Sequence, residues 1–98
     1  MERLELGVER HGGTSVVSVA GEVDMASAPQ LRQCLLDTDG NVVVDLHAVS
    51  FLDSSGIAVL AEASTRLALS GGTLTLRKPQ GTVRKALHVI GLVDWIED

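Results

Sequence analysis

The chain has 98 residues, 45% of them hydrophobic, with a formal net charge of −5. That length corresponds to one domain with a real core, and an acidic chain without basic and aromatic residues interleaved lacks what binding a nucleic-acid backbone requires. A lone cysteine, Cys34, excludes an intramolecular disulfide and reads as a structural thiol in a reducing compartment, while Phe51 and Trp95 as the only aromatics leave an aliphatic core.

The stretch Met1-Glu2-Arg3-Leu4-Glu5 has neither the basic region nor the unbroken apolar run of a signal peptide, so a cytoplasmic protein without direct membrane contact is expected. Leu4, Leu6 and Val8 alternate with Glu5, Gly7 and Glu9, the period of a strand with one buried face. Gly12-Gly13 supplies a permissive hairpin backbone, and Ser15 to Ala20 returns as a strand whose denser apolar content predicts a more interior position. Ser27-Ala28-Pro29-Gln30 has the form of a capping box, with Gln30 reaching back to the cap and Pro29 in the first turn. Ala28, Leu31, Cys34 and Leu35 share one face of the first helix, and Asp37-Thr38-Asp39-Gly40 closes it. Val42-Val43-Val44 reads as a parallel strand covered on both faces.

Phe51-Leu52-Asp53-Ser54-Ser55-Gly56 then opens a second helix, with Ile57, Leu60, Ala61, Ser64, Leu67 and Ala68 as its predicted core stripe. Gly71-Gly72 ends that helix, and Thr73 to Leu76 alternate as a strand. Val83, Ala86, Leu87 and Ile90 mark a last helix that Gly91 terminates, and Arg77, Lys78, Arg84 and Lys85 read as a solvated basic face. The expected fold is α/β, a single domain over residues 1–98 in the order β-β-α-β-α-β-α, with helices packed on a mainly parallel four-stranded sheet.

In such a sheet, partners and ligands meet the loops at the carboxyl ends of the parallel strands. The turn carrying Asp53, Ser54 and Ser55 is one of these, and the turn carrying Asp24 and Met25 should share its edge. Asp24 reads equally well as a turn-forming residue. Ser54 is the preferred cap of the second helix and Asp53 the alternative, which leaves Ser55 pointing outward from the first turn. Gly56 either lets a partner's backbone approach Ser55 or serves turn geometry alone. Enzyme chemistry finds little support, because no Gly-x-Ser-x-Gly elbow occurs and His11, His47 and His88 are scattered. No metal or nucleotide cofactor is expected either: one cysteine and isolated histidines build no zinc site, and neither Gly-x-Gly-x-x-Gly nor Gly-Lys-Ser/Thr is present.

Asp53-Ser54-Ser55-Gly56 resembles the Asp-Ser-Ser-Gly signature of the STAS domain family, whose members include bacterial anti-sigma-factor antagonists. Gly21-Glu22-Val23-Asp24 with Ala26-Ser27-Ala28 is similar to the family's stretch leading into its first helix, and Gly91-Leu92-Val93 to its C-terminal stretch, all in the family's order. The resemblance implies the same architecture and a non-catalytic role in sigma-factor-dependent transcription. It implies an anti-sigma factor with serine kinase activity as partner, phosphorylation of Ser55 as the release signal, and a phosphatase that resets it. The implied partner surface comprises Asp24, Met25 and Ser27 together with Asp53, Ser54, Ser55, Gly56, Ile57 and Ala58. Two other readings stand beside it: a non-switching scaffold or accessory subunit of a stress-signalling complex or membrane transporter, and a small serine hydrolase. The free chain is expected to be a monomer.

Overall fold

The computed structural model describes residues 3–97; Met1 and Glu2, at the start of the N-terminal stretch, and Asp98 lie outside the described residues. Strand β1 (Glu5–His11) turns through Gly12-Gly13 into β2 (Thr14–Val23), with His11 paired to Thr14 and Gly12 at φ +64°, a conformation that L side chains rarely adopt. Helix α1 (Ala28–Leu36), strand β3 (Asn41–Leu52), helix α2 (Ser54–Leu69), strand β4 (Thr73–Arg77) and helix α3 (Gly81–Val89) come next, then a 3₁₀ turn at Val93–Trp95. The sheet order is β1-β2-β3-β4, with β1 antiparallel to β2 and the β2/β3 and β3/β4 pairs parallel. This is the α/β architecture expected from the pattern of elements.

One face of the sheet carries the core. Ser15, Val42 and Leu74 lie in register across β2, β3 and β4, as do Val17, Val44 and Leu76, and all six are buried. Above them α1 contributes Leu31 and Leu35, and α2 contributes Leu60 and Leu67, all essentially without exposed surface. The alternate residues Val16, Val43 and Thr75 are only half-buried, so the valine strand is fully covered on one face rather than two. Strand β1 is an edge. Leu4 is buried and Leu6 half-buried, but Val8 is 42% exposed, because it lies beyond the reach of the helices.

Other expectations shift by a residue or two. The core stripe of α2 is Gly56, Val59, Leu60, Ala63 and Leu67, while Ile57, Ala61 and Ser64 are half-buried and Ala68 exposed. Several small apolar positions surround this helix, so periodicity alone fits two neighbouring faces. On α3 Val83 and Leu87 are buried, but Ile90 lies just past the last helical turn and is 48% exposed. Cys34 is half-buried, and burial, with a smaller push from the nearby Asp37, moves its thiol upward, away from the reactive thiolate.

Polar groups pin the elements where the core cannot. Arg66 Nη2 donates to the Leu35 and Thr38 carbonyls at 2.7 and 3.1 Å, joining the Thr38 N–H and hydroxyl that already donate to Leu35 where α1 ends, and Arg32 meets Glu62 at 2.7 Å across the two helices. Arg77, expected among the solvated basic residues, instead pairs with the buried Asp45 on the neighbouring strand at 2.9 Å. Burial pulls the Asp45 carboxyl upward, but the His47 N–H, the Arg77 guanidinium and the His47 ring outweigh it and hold it at about 2.

Between β2 and β3 the register shifts twice. Ser18 faces Asp45 while Ala20 faces Ala48, and Gly21 faces Val49 while Glu22 faces Phe51, so β3 carries an extra residue at each step. The burial phase tracks these bulges: Val44, Leu46, Val49 and Leu52 are all buried, at intervals of two, three and three. A bulge bends its strand and re-aims the residues beyond it. Here the two bulges extend β3 well past Leu46 and deliver Asp53 to the rim of the sheet.

Candidate partner-binding site

The carboxyl ends of β2 and β3 are paired through Val23 and Leu52, so the turns leaving them stand side by side. The Asp53 N–H donates to the Val23 carbonyl at 3.1 Å and stitches the two turns together. Asp24 and Asp53 therefore occupy adjacent positions on one rim, as the sequence spacing suggested.

In the first turn Asp24 Oδ1 accepts from the Ala26 and Ser27 N–H groups, each at 3.0 Å. The Ser27 hydroxyl accepts from the Asp24 N–H at 3.0 Å, and its proton lies between the Glu22 carbonyl at 2.9 Å and Asp24 Oδ1 at 3.1 Å. The capping box does not form. Ser27 makes no side-chain cap bond to α1, and the Gln30 amide donates instead to the Leu4 carbonyl, because Asp24 offers the Ser27 hydroxyl a closer network in the turn. Asp24 is thus the turn former. Met25 at its tip is 79% exposed.

In the second turn the cap is Asp53 rather than Ser54. Asp53 Oδ1 accepts from the Ser55 N–H at 2.9 Å, the Gly56 N–H at 3.4 Å and the Ser55 hydroxyl at 2.5 Å, while its backbone carbonyl takes the first helical bond from Ile57. The Ser55 hydroxyl bond is the main influence holding the Asp53 carboxyl below its ordinary range; slight burial opposes it and the two N–H groups add to it. Ser54 occupies the first helical position and is exposed. Ser55 is half-buried, its hydroxyl turned toward Asp53 rather than straight outward.

Gly56 has a packing role. It is buried, and a Cβ there would come within 2.5 Å of Leu52 Cδ1 and 2.6 Å of Val23 Cγ1. The missing side chain lets α2 begin directly on the ends of β2 and β3, which fixes the height of Ser55 above the rim. Partner access to its backbone is not what the burial of Gly56 provides. Ile57 is half-buried and Ala58 exposed, one step further along the helix.

Phe51, absent from the sequence-derived site, is 45% exposed and paired with Glu22 just before the rim. Its position results from the second bulge, which no local motif announces. Beside Ser55, Ser54 and Ala58 on α2 are exposed, as is Met25 on the neighbouring turn. Among the described residues, neither Ser54 nor Ser55 hydrogen-bonds a histidine; His47 is engaged through Nδ1 with Asp45 at 2.9 Å.

The STAS domain model matches residues 5–97. The chain belongs to the STAS domain family. This STAS domain is 30% identical over 95 residues to the anti-sigma-F factor antagonist RsfB of Mycobacterium tuberculosis, covering 93% of this chain and 77% of that protein. Its fold superimposes with a TM-score of 0.83 on the anti-sigma factor antagonist SpoIIAA in its unphosphorylated form, at 26% identity over 96% of this chain and 87% of that one. The Bacillus cell fate determinant SpoIIAA in its phosphorylated form gives a TM-score of 0.77 at 25% identity, covering 96% of this chain and 90% of the other. Anti-sigma-factor antagonists are thus its relatives in both sequence and fold. Among the described residues, no helix is long and apolar enough to cross a membrane.

Proposed function

We propose that this STAS domain is a cytoplasmic anti-sigma-factor antagonist that binds an anti-sigma factor with serine kinase activity and is released when Ser55 is phosphorylated. The observation that carries this reading is the placement of Ser55. Its hydroxyl sits in the first turn of α2, at a rim built from two adjoining strand ends, with Ser54 and Ala58 exposed on the same helix and Met25 exposed on the neighbouring turn. A relative with the same fold exists in both phosphorylated and unphosphorylated forms, which supports modification as the switch.

In the proposed reaction, Ser55 Oγ attacks the γ-phosphorus of a nucleoside triphosphate carried by the kinase. An Oγ–P bond forms as the bond from phosphorus to the β,γ-bridging oxygen breaks, the nucleoside diphosphate leaves, and the hydroxyl proton passes to a base of the kinase or to water. The STAS domain supplies the acceptor and its orientation; the nucleotide and the transfer machinery belong to the partner. A phosphate adds about −1.5 to −2 charge at the centre of the packed surface, beside Asp53 and close to Asp24, and the complex must absorb that repulsion and desolvation. The sigma factor freed while the complex persists then engages RNA polymerase, and a phosphatase returns the antagonist to its binding form.

The test is a pull-down from lysate of the native organism with wild type, Ser55→Ala and Ser55→Asp as baits. A protein kinase retained by wild type and Ser55→Ala and depleted with Ser55→Asp is the expected result. The same partners on all three baits, with no kinase among them, would replace this reading with a non-switching scaffold or accessory subunit.

A further inference from the structure

One oxygen atom, Asp53 Oδ1, is the common acceptor for the donors that start α2: the Ser55 N–H, the Gly56 N–H and the Ser55 hydroxyl. The group that caps the helix is therefore also the group that holds the modifiable oxygen. Resting on the reading of Ser55 as a phosphoacceptor, we propose that phosphorylation evicts Asp53 from the cap, the phosphoryl oxygens taking over the Ser55 and Gly56 N–H groups. Modification then changes the shape of the rim as well as its charge.

Three properties of the site lead to this. Esterification replaces the Oγ–H bond with Oγ–P, so Asp53 loses one of its three donors. The incoming group carries about −1.5 to −2 charge and three strong acceptor oxygens, tethered to the residue whose N–H Asp53 occupies. The adjoining end of β2 brings acidic groups rather than a counter-ion to Asp53. The charged residues on the adjoining strand end are Glu22 and Asp24, both acidic, and among the described residues no Lys, Arg or His forms an ion pair with Asp53. Two anions thus compete for one pair of N–H groups at a helix start. The group with more charge and more oxygens takes them.

The displaced carboxylate moves out onto the surface that bears Ser54 and Met25, where a partner docked on the unmodified rim has no place for it. An aspartate at position 55 has a shorter reach and one negative charge, so Ser55→Asp reproduces only part of the added charge and not the full exchange of caps.

Phosphoserine installed at position 55 during translation, without any kinase, permits a direct test. The Asp53 carboxyl is titrated by carbon-13 NMR in the modified and unmodified chains, with the Ser55 and Gly56 amide resonances monitored over the same range. In the unmodified chain Asp53 titrates below the ordinary carboxylate range. In the phosphorylated chain it should rise back toward that range, and both amides should respond to the phosphate near pH ~6. An Asp53 that titrates identically in both forms, or amides indifferent to the phosphate, overturns the proposal. A partner kinase that ignores Ser55 would sink the proposed function and leave this titration unchanged.

Discussion

Gly56 sets the geometry on which the site depends. A methyl group at this position meets Val23, a buried β-branched side chain with little freedom, and the end of Leu52. Gly56→Ala should therefore destabilise the fold by about 1 to 3 kcal/mol in urea unfolding, as overpacking does, even though alanine favours helix in isolation. A stability equal to or above wild type would show that α2 can lift off the sheet without cost. The sequence announces the glycine but not its purpose, because the two side chains it meets arrive from different strands. The cap was ambiguous for a related reason. Asp53, Ser54 and Ser55 are all capable caps, and which one takes the N–H groups depends on where β3 stops.

At the scale of elements, the two bulges in β3 decide that stopping point. The run Val42 to Val44 marks a strand plainly, but the residues that continue it to Leu52 carry two breaks in the two-residue alternation and were not legible as a strand. The same strand carries Asp45, whose ties to Arg77 and His47 fasten β4 to β3. Because the carboxyl is held at about 2 in the folded chain, below the unfolded value near ~3.9, its contribution is complete above about pH 5 and disappears as pH falls toward 2. About 2 kcal/mol of stability should be lost over that window through Asp45 alone. Urea unfolding at about pH 6.5 and about pH 3 should show a smaller acid loss in Asp45→Asn than in wild type. An undiminished loss would place the acid sensitivity elsewhere, and the half-exposed Asp53 bond is the next group to examine.

For the whole molecule, the order of elements, the hairpin at Gly12-Gly13, the helix ends at Gly71-Gly72 and Gly91, and the parallel sheet could all be read from turn residues and apolar period. These are local signals, and local signals survive in sequence. What could not be read depends on distant pairing: the half-open face at Val16, Val43 and Thr75, the exposure of Phe51, and the diversion of Ser27 into the Asp24 turn. The rim was legible as a neighbourhood, through Asp24 and Asp53 to Ala58, but not as a hydrogen-bonded network. In the proposed switch this network is what makes one hydroxyl a regulatory element, since Ser55 is held by the carboxylate that also starts the helix. The most direct test of this account is calorimetric titration of the captured anti-sigma kinase with the unmodified chain and with the chain carrying phosphoserine at position 55. The account predicts binding weakened by about 5 to 150-fold on phosphorylation, the range typical of regulatory coupling; equal affinities for the two forms would contradict it.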